Sequence, residues 1–515
     1  MRKDDPLAAS SATRRVGGQG TLMRVIRNPR PRRCSARVSA LVAIMALTSG
    51  MTAAVWSSGA AEAAAVAVGG SAGSWGQAIE VPGLAALNTG GLAEVTSVSC
   101  GSAGNCAAAG NYYAGDVELG FVTVERNGVW GSAIEVPGLA TLNKGAQAPI
   151  LSLSCATAGS CAAGGFFNDV GGGQQGFVVT ERNGVWGKAI EVPGLAALNK
   201  HGTAEVNSVS CSSAGNCAAG GKYRSGNFHL QGFVVTERNG VWGKAIEVPG
   251  LAALHKRGGD ATVFSVSCAS AGNCSAGGSY HLSHHHQGFV VTERNGVWGK
   301  AIAVPGLAAL NAGGQATVKE VSCAAAGNCA ASGNYLNRGG QAFVVVERNG
   351  NWDKAIEIPG LAAISKTEAE VDSVSCGAAG SCAAGGNYVD LRDHYHLYVA
   401  VERHGRWGQA IEIPGLRALS TGGFGFVSSV SCASAGNCVV GGGYSSSSGE
   451  QGFLAVEKNG RWGKAIEVPG LAALNTGGNA NVSSVSCPPA GTCSAGGSYV
   501  DHDHNFQGFV VSQDG

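Results

Sequence analysis

Sixteen of the seventeen cysteines form eight identical Cys-x5-Cys pairs: Cys100/Cys106, Cys155/Cys161, Cys211/Cys217, Cys268/Cys274, Cys323/Cys329, Cys376/Cys382, Cys432/Cys438 and Cys487/Cys493. Cys34 stands apart. Such pairs can oxidise to short-range disulfides or ligate a metal as thiolates. Zinc sites favour shorter Cys spacings and four ligands, and the even separation of the pairs would keep them apart. Disulfides are therefore expected, each closing a small loop worth about 2 kcal/mol by the chain-entropy estimate. Such bonds persist in oxidising, extracellular compartments.

Histidines and aspartates are the second chemical resource. His229, His281, His284, His285, His286, Asp390, Asp393, His394, His396, Asp501, His502, Asp503 and His504 all fall in variable stretches, and make up a candidate ligand face. Neutral imidazole is a common transition-metal ligand. It also changes charge near physiological pH. Asp501-His-Asp503-His-Asn505 has the alternating oxygens that open a calcium loop, but Phe506 replaces the turn glycine and no glutamate closes it. No cofactor is expected; the alternative is a divalent metal on this face.

Two glutamate series recur at fixed spacing. One is Glu80, Glu135, Glu191, Glu247, Glu357, Glu412 and Glu467, with Ala303 in the eighth place. The other is Glu125, Glu181, Glu237, Glu293, Glu347, Glu402 and Glu457. Acid–base catalysis needs one acid and one base at one place, so a repeated acid reads as a structural contact. A catalytic pair would come from the unrepeated set: Asp116, Glu118, Asp169, Asp260, Asp390, Asp393, Asp501 and Asp503.

The elements that must position these residues are legible from eight tryptophans, Trp75, Trp130, Trp186, Trp242, Trp298, Trp352, Trp407 and Trp462, spaced 54–56 residues apart. Each marks one copy of a unit of about 55 residues. In one copy, Val206–Cys211 alternates apolar and polar residues as a half-buried strand does. Cys217–Gly221 is small and apolar, and Phe233–Glu237 is rich in β-branched residues. Val241–Val248 is a fourth run, ended by Pro249-Gly250. Asn239-Gly240 is a two-residue hairpin signal. Pro-Gly-Leu-Ala-Ala-Leu-Asn allows one helical turn at most. The fold class is therefore all-β, a propeller of four-stranded blades. The array begins with a lone fourth run, Trp75–Gly83, and its last copy holds only three. Pairing these ends gives eight blades over 72–515 and removes two open edges. In that ring, the two–three loops and the blade-to-blade connections share one face. Eleven of the twelve histidines fall there, with His201 and His255 in connections and His404 alone opposite.

The order of signals resembles a kelch-type blade: Gly220-Gly221, Phe233 and Trp242, and again Gly277-Gly278, Phe289 and Trp298. The Cys pairs depart from that pattern, as does Phe where kelch repeats usually carry Tyr, a position that Tyr398 fills in one copy. The chain is also similar to exported bacterial proteins with Val-Ser-Cys/Gly-Asn-Cys/Gly-Gly repeats. The kelch resemblance implies a propeller that binds proteins. The copper chemistry of galactose-oxidase relatives needs a Tyr/His/Cys constellation with no residue-by-residue match here.

Residues 1–37 hold ten Lys/Arg and two acids, and Val38–Trp56 is apolar. With small-residue cleavage candidates at 61–65, segment 1–65 reads as an export signal, with Met23 as an alternative start. An uncleaved anchor is the alternative, since a stretch of nineteen residues could just span a bilayer. Removing 1–65 leaves 25 of the 35 basic and 31 of the 34 acidic residues, a net charge near −6. Nucleic-acid binding then loses its electrostatic support. The expected product is a secreted or surface-exposed monomeric binding module for an extracellular glycan or protein, touching membrane only through 1–65 if that is retained. The alternatives are a glycan hydrolase or lyase, and a structural envelope component.

Overall fold

Strand alternation, hairpin turns and small residues at fixed spacing produce eight antiparallel sheets arranged as an eight-bladed β-propeller. The computed structural model describes residues 74–514 except 256, 257, 283, 366 and 490. The expected export segment lies outside the described residues. The described residues belong to one compact unit. Blades 1 to 7 occupy 93–135, 150–191, 204–247, 261–303, 316–357, 369–412 and 425–467. Blade 8 joins 480–512 to the segment near 79.

Blade 3 shows the plan. Its strands are Ala204–Ser213, Asn216–Arg224 and Leu230–Arg238, running from the inside of the ring outward. Asn239 and Gly240 turn at φ 49° and 79°, the double positive φ of a type I′ hairpin. The fourth strand differs from the single run expected over Val241–Val248. It is two fragments, Val241–Trp242 and Ile246–Glu247, separated by a bulge. The cause is inter-blade: Ala245 turns its N–H away from strand three and donates to Pro193 O of the preceding connection at 2.8 Å. All eight boundaries repeat this bond, including Ala78 to Pro469 and Ala133 to Pro82. Short, interrupted outer strands also blunt the blade edges against pairing with other chains.

The ring closes as the tryptophan phase requires. Ile79 and Glu80 pair with Val510 and Phe509 of the last blade, and Trp75 bridges Gln513. Inner-strand serines link each blade to the next: Ser208 and Ser210 Oγ accept the N–H groups of Val266 and Cys268 at 3.0 and 2.9 Å. The last such pair, Ser484 and Ser486 to Val98 and Cys100, runs from blade 8 to blade 1. One position departs: Glu320 replaces the serine and accepts Val374 N–H at 2.6 Å.

The Gly-Gly signature has a steric cause. A Cβ on Gly221 would fall 1.9 Å from Glu205 O, and the equivalent clash recurs at Gly110, Gly165, Gly278, Gly333, Gly386, Gly442 and Gly497. The preceding position faces the next blade's valines and tolerates Ala109 or Ser332.

All eight cysteine pairs are disulfides, with Cα–Cα separations of 3.9–4.2 Å. In seven blades the bonded cysteines face each other directly across strands one and two, as in Cys211 and Cys217. The second member of every pair is buried: Cys106, Cys161, Cys217, Cys274, Cys329, Cys382, Cys438 and Cys493. Strand two is packed on both faces, so its cysteine points into the blade core. Of the first members, Cys100 and Cys487 are buried and the other six are half-buried. These residues therefore act as internal staples. The pairing expected for them holds, but they are not surface groups available to a ligand or a metal.

The tryptophans are packing residues with one polar need. The indole N–H of Trp242, Trp298 and Trp352 donates to Thr180, Thr236 and Thr292 of the preceding blade, and that of Trp130 to Ser512. Trp75, Trp186, Trp407 and Trp462 have no acceptor for theirs. Each of those four follows a blade with valine at the threonine position: Val456, Val124, Val346 and Val401.

Candidate functional site

In six of the eight blades, backbone bonds join the two–three loop to the connection leading into the next blade. Examples are Gln174 N–H to Gly202 O, His286 N–H to Gly314 O and Tyr395 N–H to Gly423 O, all 2.8–2.9 Å. These two sets of segments therefore lie together on one face. Asn239-Gly240 and its equivalents lie with the one–two turns: Gly240 N–H donates to Gly215 O at 2.8 Å.

The candidate histidines fall into separate groups. His229 Nδ1 lies 3.4 Å from Asp260. The His281 and His286 rings stack at 4.6 Å across paired strands. His284 and His285 are exposed beside them. His502 lies 3.2 Å from Asp503, with both side chains well exposed, and His504 occupies a left-handed turn at φ 63°. Among the described residues no three metal-ligating side chains converge. His255 is buried where most blades carry Asn, and burial holds its imidazole below the ordinary range.

Three two–three loops share one device. Asp169, Asp390 and Asp501 each cap their own loop: Oδ1 accepts two backbone N–H groups, two and four residues on. Oδ2 accepts from the side chain six residues on, which is Gln175, His396 or Gln507. These carboxylates shape their loops, an Asx-turn role. Asp501 therefore has both oxygens engaged as a loop cap. Among the other unrepeated acids, Glu118 accepts from Gln147, Asp260 from Leu230 N–H, and Asp393 sits exposed at φ 60°.

The loop at Asp390 differs in what lies beside it. Elsewhere the residue after the helical turn is mostly asparagine, and its amide plugs the gap between loop and connection. Asn199 Nδ2 donates to Gln174 O and Gln175 Oε1 at 2.9 and 3.0 Å, and Asn88 repeats this on Phe506 O and Gln507 Oε1. At blade 6 the plug is Ser420, too short to cross, and it bonds Phe424 O instead. The glutamine is His396. The helical turn Leu416–Leu419 carries Arg417 where every other copy has alanine. A cavity of about 350 Å³ opens there, floored by Leu397, Ile413 and Leu416 and walled by Arg392, His394 and Arg417. None of the disulfide cysteines lines it.

A continuous polar chain lines it. Tyr388 OH donates to Glu412 Oε1 at 2.5 Å, Arg417 donates to the same oxygen at 2.8 Å, and Arg417 also meets His396 Nδ1 at 3.3 Å. His396 Nε2 lies 3.0 Å from Asp390 Oδ2. A guanidinium can only donate, so Nδ1 accepts and the ring proton sits on Nε2, facing Asp390. That hydrogen bond, with the two loop N–H groups, holds the Asp390 carboxyl well below the usual carboxylate range. The structure thus brings together Asp390, His394 and His396 from the expected set. Arg392, Tyr388, Arg417 and Ser420 carry no signal by residue type. For Arg417 and Ser420 the signal is departure from the repeat, Ala to Arg417 and Asn to Ser420, alongside Gln to His396, whereas Tyr388 is itself a repeated residue.

The repeated glutamates are structural as expected. Tyr112, Tyr223, Tyr335, Tyr388, Tyr444 and Tyr499 donate to Glu135, Glu247, Glu357, Glu412, Glu467 and Glu80. The two exceptions each lack one partner: Phe167 stands opposite Glu191, and Tyr280 opposite Ala303. The second series is buried and meets the preceding blade's arginine, as in Arg182 to Glu237 at 3.3 Å and Arg403 to Glu457 at 3.0 Å. At the ring closure Glu125 accepts from Ser494 and Ser512.

One further unrepeated group lies on the inner strands. Lys319 pairs with Asp372 at 2.9 Å and Glu370 at 3.4 Å on the next blade. Beside it, burial pushes the Glu320 carboxyl up to about 7, opposed by the Val374 N–H and the Ser373 hydroxyl.

No family model matches the chain, and no curated protein matches it. Among solved structures, it is similar to Chaetomium thermophilum Sqt1 bound to the N-terminus of ribosomal protein L10, at 11% identity and a TM-score of 0.46, covering 83% of this chain and 98% of that one. It is also similar to a polysaccharide lyase of family PL25, an ulvan lyase (10%, 0.39, 78% and 94%). A third is the Penicillium chrysogenum α-L-arabinanase complexed with arabinobiose (11%, 0.32, 58% and 90%). These scores are too low to carry any of those activities to this chain.

Proposed function

We propose that the chain is an exported binding module whose rigid ring presents the loop face, with the cleft between blades 6 and 7 as its principal ligand site. The observation that carries this is the clustering of departures. His396, Arg417 and Ser420 each break a repeated position, and the breaks meet around one cavity. Cavities with a few convergent polar groups are where ligands bind, and loops on a rigid scaffold carry function.

Eight disulfides suit an oxidising, extracellular setting, and among the described residues no helix is long and apolar enough to cross a membrane. The kelch-like reading rests on the order of Gly-Gly, Phe and Trp in most blades and supports a binding role. An extracellular glycan or protein is the partner class, with no resident cofactor. Three of the eight unrepeated carboxylates, Asp169, Asp390 and Asp501, are engaged in this face as loop caps, which favours binding over catalysis.

The test is a binding screen of the full chain, produced through an oxidising export route, against extracellular glycans and surface proteins. At least one partner should lose affinity when blade 6 residues 390–396 are replaced by the blade 3 loop. Partners that bind equally well after that exchange would overturn the assignment of the face.

A further inference from the structure

We infer that the blade 6–7 cleft accepts an acidic sugar residue, its carboxylate held by Arg392 and Arg417 and its ring laid against Tyr395 and Phe424. This rests on the binding-module reading above and names its ligand class.

Asp390 accepts from two loop N–H groups and His396, and Glu412 accepts from Tyr388 and Arg417. Both carboxylates lining the cleft are thus engaged by donors, which disfavours a cationic ligand. The donors are in excess. Arg417 has five N–H groups, and its contacts with Glu412 and His396 both run through one terminal nitrogen, with its side chain 69% exposed. Arg392 is exposed and, among the described residues, its side chain enters no ion pair. The remaining hydrogen-bonding capacity therefore calls for an acceptor-rich anion. A planar guanidinium fork matches a carboxylate bidentately.

The rest of the cleft selects a ring over a bare anion. Leu397, Ile413 and Leu416 make an apolar floor. Tyr395 and Phe424 meet edge to face at 5.2 Å and are 37% and 39% exposed, so each offers ring surface to solvent. Tyr395 lines the cleft and Phe424 adjoins it, following Gly422-Gly423 of its wall. A volume of about 350 Å³ is at the lower end of small-ligand pockets. That suits one sugar residue of a longer chain better than an extended polymer segment. No other blade combines a short plug, an arginine on the helical turn and these two rings.

Calorimetric titration of the full chain with galacturonic acid oligomers tests this, with galactose oligomers as the neutral arm and sulfated galactose oligomers as the sulfate arm. Uronate oligomers should bind, with affinity falling as salt rises. Arg417→Ala should weaken binding at least tenfold and Arg392→Ala by about three- to tenfold, as expected for charge-assisted bonds. Arg417→Ala installs the residue that the other seven copies carry, so folding is preserved. Equal affinity for the neutral oligomers, tighter binding of the sulfated ones, or no effect of Arg417→Ala would overturn the acidic-sugar assignment. If neutral glycans or proteins bind and Ser420→Asn removes that binding, the cleft remains the site and only the ligand class falls. If every partner found binds Ser420→Asn as tightly as the parent, the functional reading falls with it.

Discussion

The boundary between blades 2 and 3 and the boundary between blades 6 and 7 are built on the same plan and end differently. Both have a two–three loop capped by an aspartate, Asp169 or Asp390, with a side chain six residues on returning to the second oxygen. At the first boundary Gln175 and Asn199 bond each other and close the gap. At the second, His396, Ser420 and Arg417 leave a lined cavity in the same place. The aspartate is common to both, so it makes the loop and not the site. The three substituted positions make the site. In a repeat protein the copies serve as each other's controls, and function is sought where one copy departs.

The largest effect should come from converting the open boundary into the closed one. The triple variant His396→Gln, Arg417→Ala, Ser420→Asn should lower ligand affinity at least thirtyfold by calorimetry, while its melting temperature stays within about 2 °C of the parent, as for surface changes that create no cavity in the core. Loss of binding together with unfolding would mean the network is structural. The reverse exchange at the closed boundary, Gln175→His, Ala196→Arg, Asn199→Ser, should add a weaker second site and raise the binding stoichiometry from one toward two. An unchanged stoichiometry would show that the flanking residues Tyr395 and Phe424 are indispensable.

A second pair of regions sharpens the contrast between repeated and unrepeated positions. Seven inner-strand serines and Glu320 perform the same task, accepting an N–H from the next blade. The glutamate carries a titration that the serines lack. Its folded pKa is raised from 4.5 to about 7 by burial. A raised acid favours the folded state in its protonated form, so stability present below about pH 4.5 is lost as pH rises through 7. Glu320→Ser should therefore stabilise the ring at pH 8 by on the order of 2 kcal/mol and make little difference at pH 4.5. Chemical denaturation at the two pH values checks this, and an equal gain at both would contradict the assigned cause.

The smallest effect concerns the indoles. Val346→Thr should give Trp407 Nε1 the acceptor that Thr236 gives Trp298, a gain of about 0.5–1.5 kcal/mol. Thr236→Val should cost about 1–2 kcal/mol by orphaning that N–H. Thermal melts of the two variants should move in opposite directions.

The sequence exposes the fold well because period and phase are properties of the chain itself. Eight tryptophans, eight Cys-x5-Cys pairs and the lone run at Trp75 are enough to expect eight blades and closure of that run on the last one, which the structure makes by pairing Ile79 and Glu80 with Val510 and Phe509. The break in strand four is hidden because its cause, the bond from Ala245 to Pro193, crosses between blades. The candidate site is only partly visible. Asp390, His394 and His396 stand out by residue type, but so does the Asp501 group, which the structure shows as a loop cap. Arg417 is silent because an arginine in a short exposed segment carries no chemical signature alone. Its meaning comes from packing beside Ser420, and only alignment of the copies against each other isolates it.

Hydrogen–deuterium exchange of the full chain, with and without galacturonic acid oligomers, tests most directly whether function resides at the odd boundary. Protection confined to 390–396 and 412–424 is the expected result. Protection centred on the histidines of 281–286, on the disulfide-bearing turns, or spread evenly over all eight blades would contradict it.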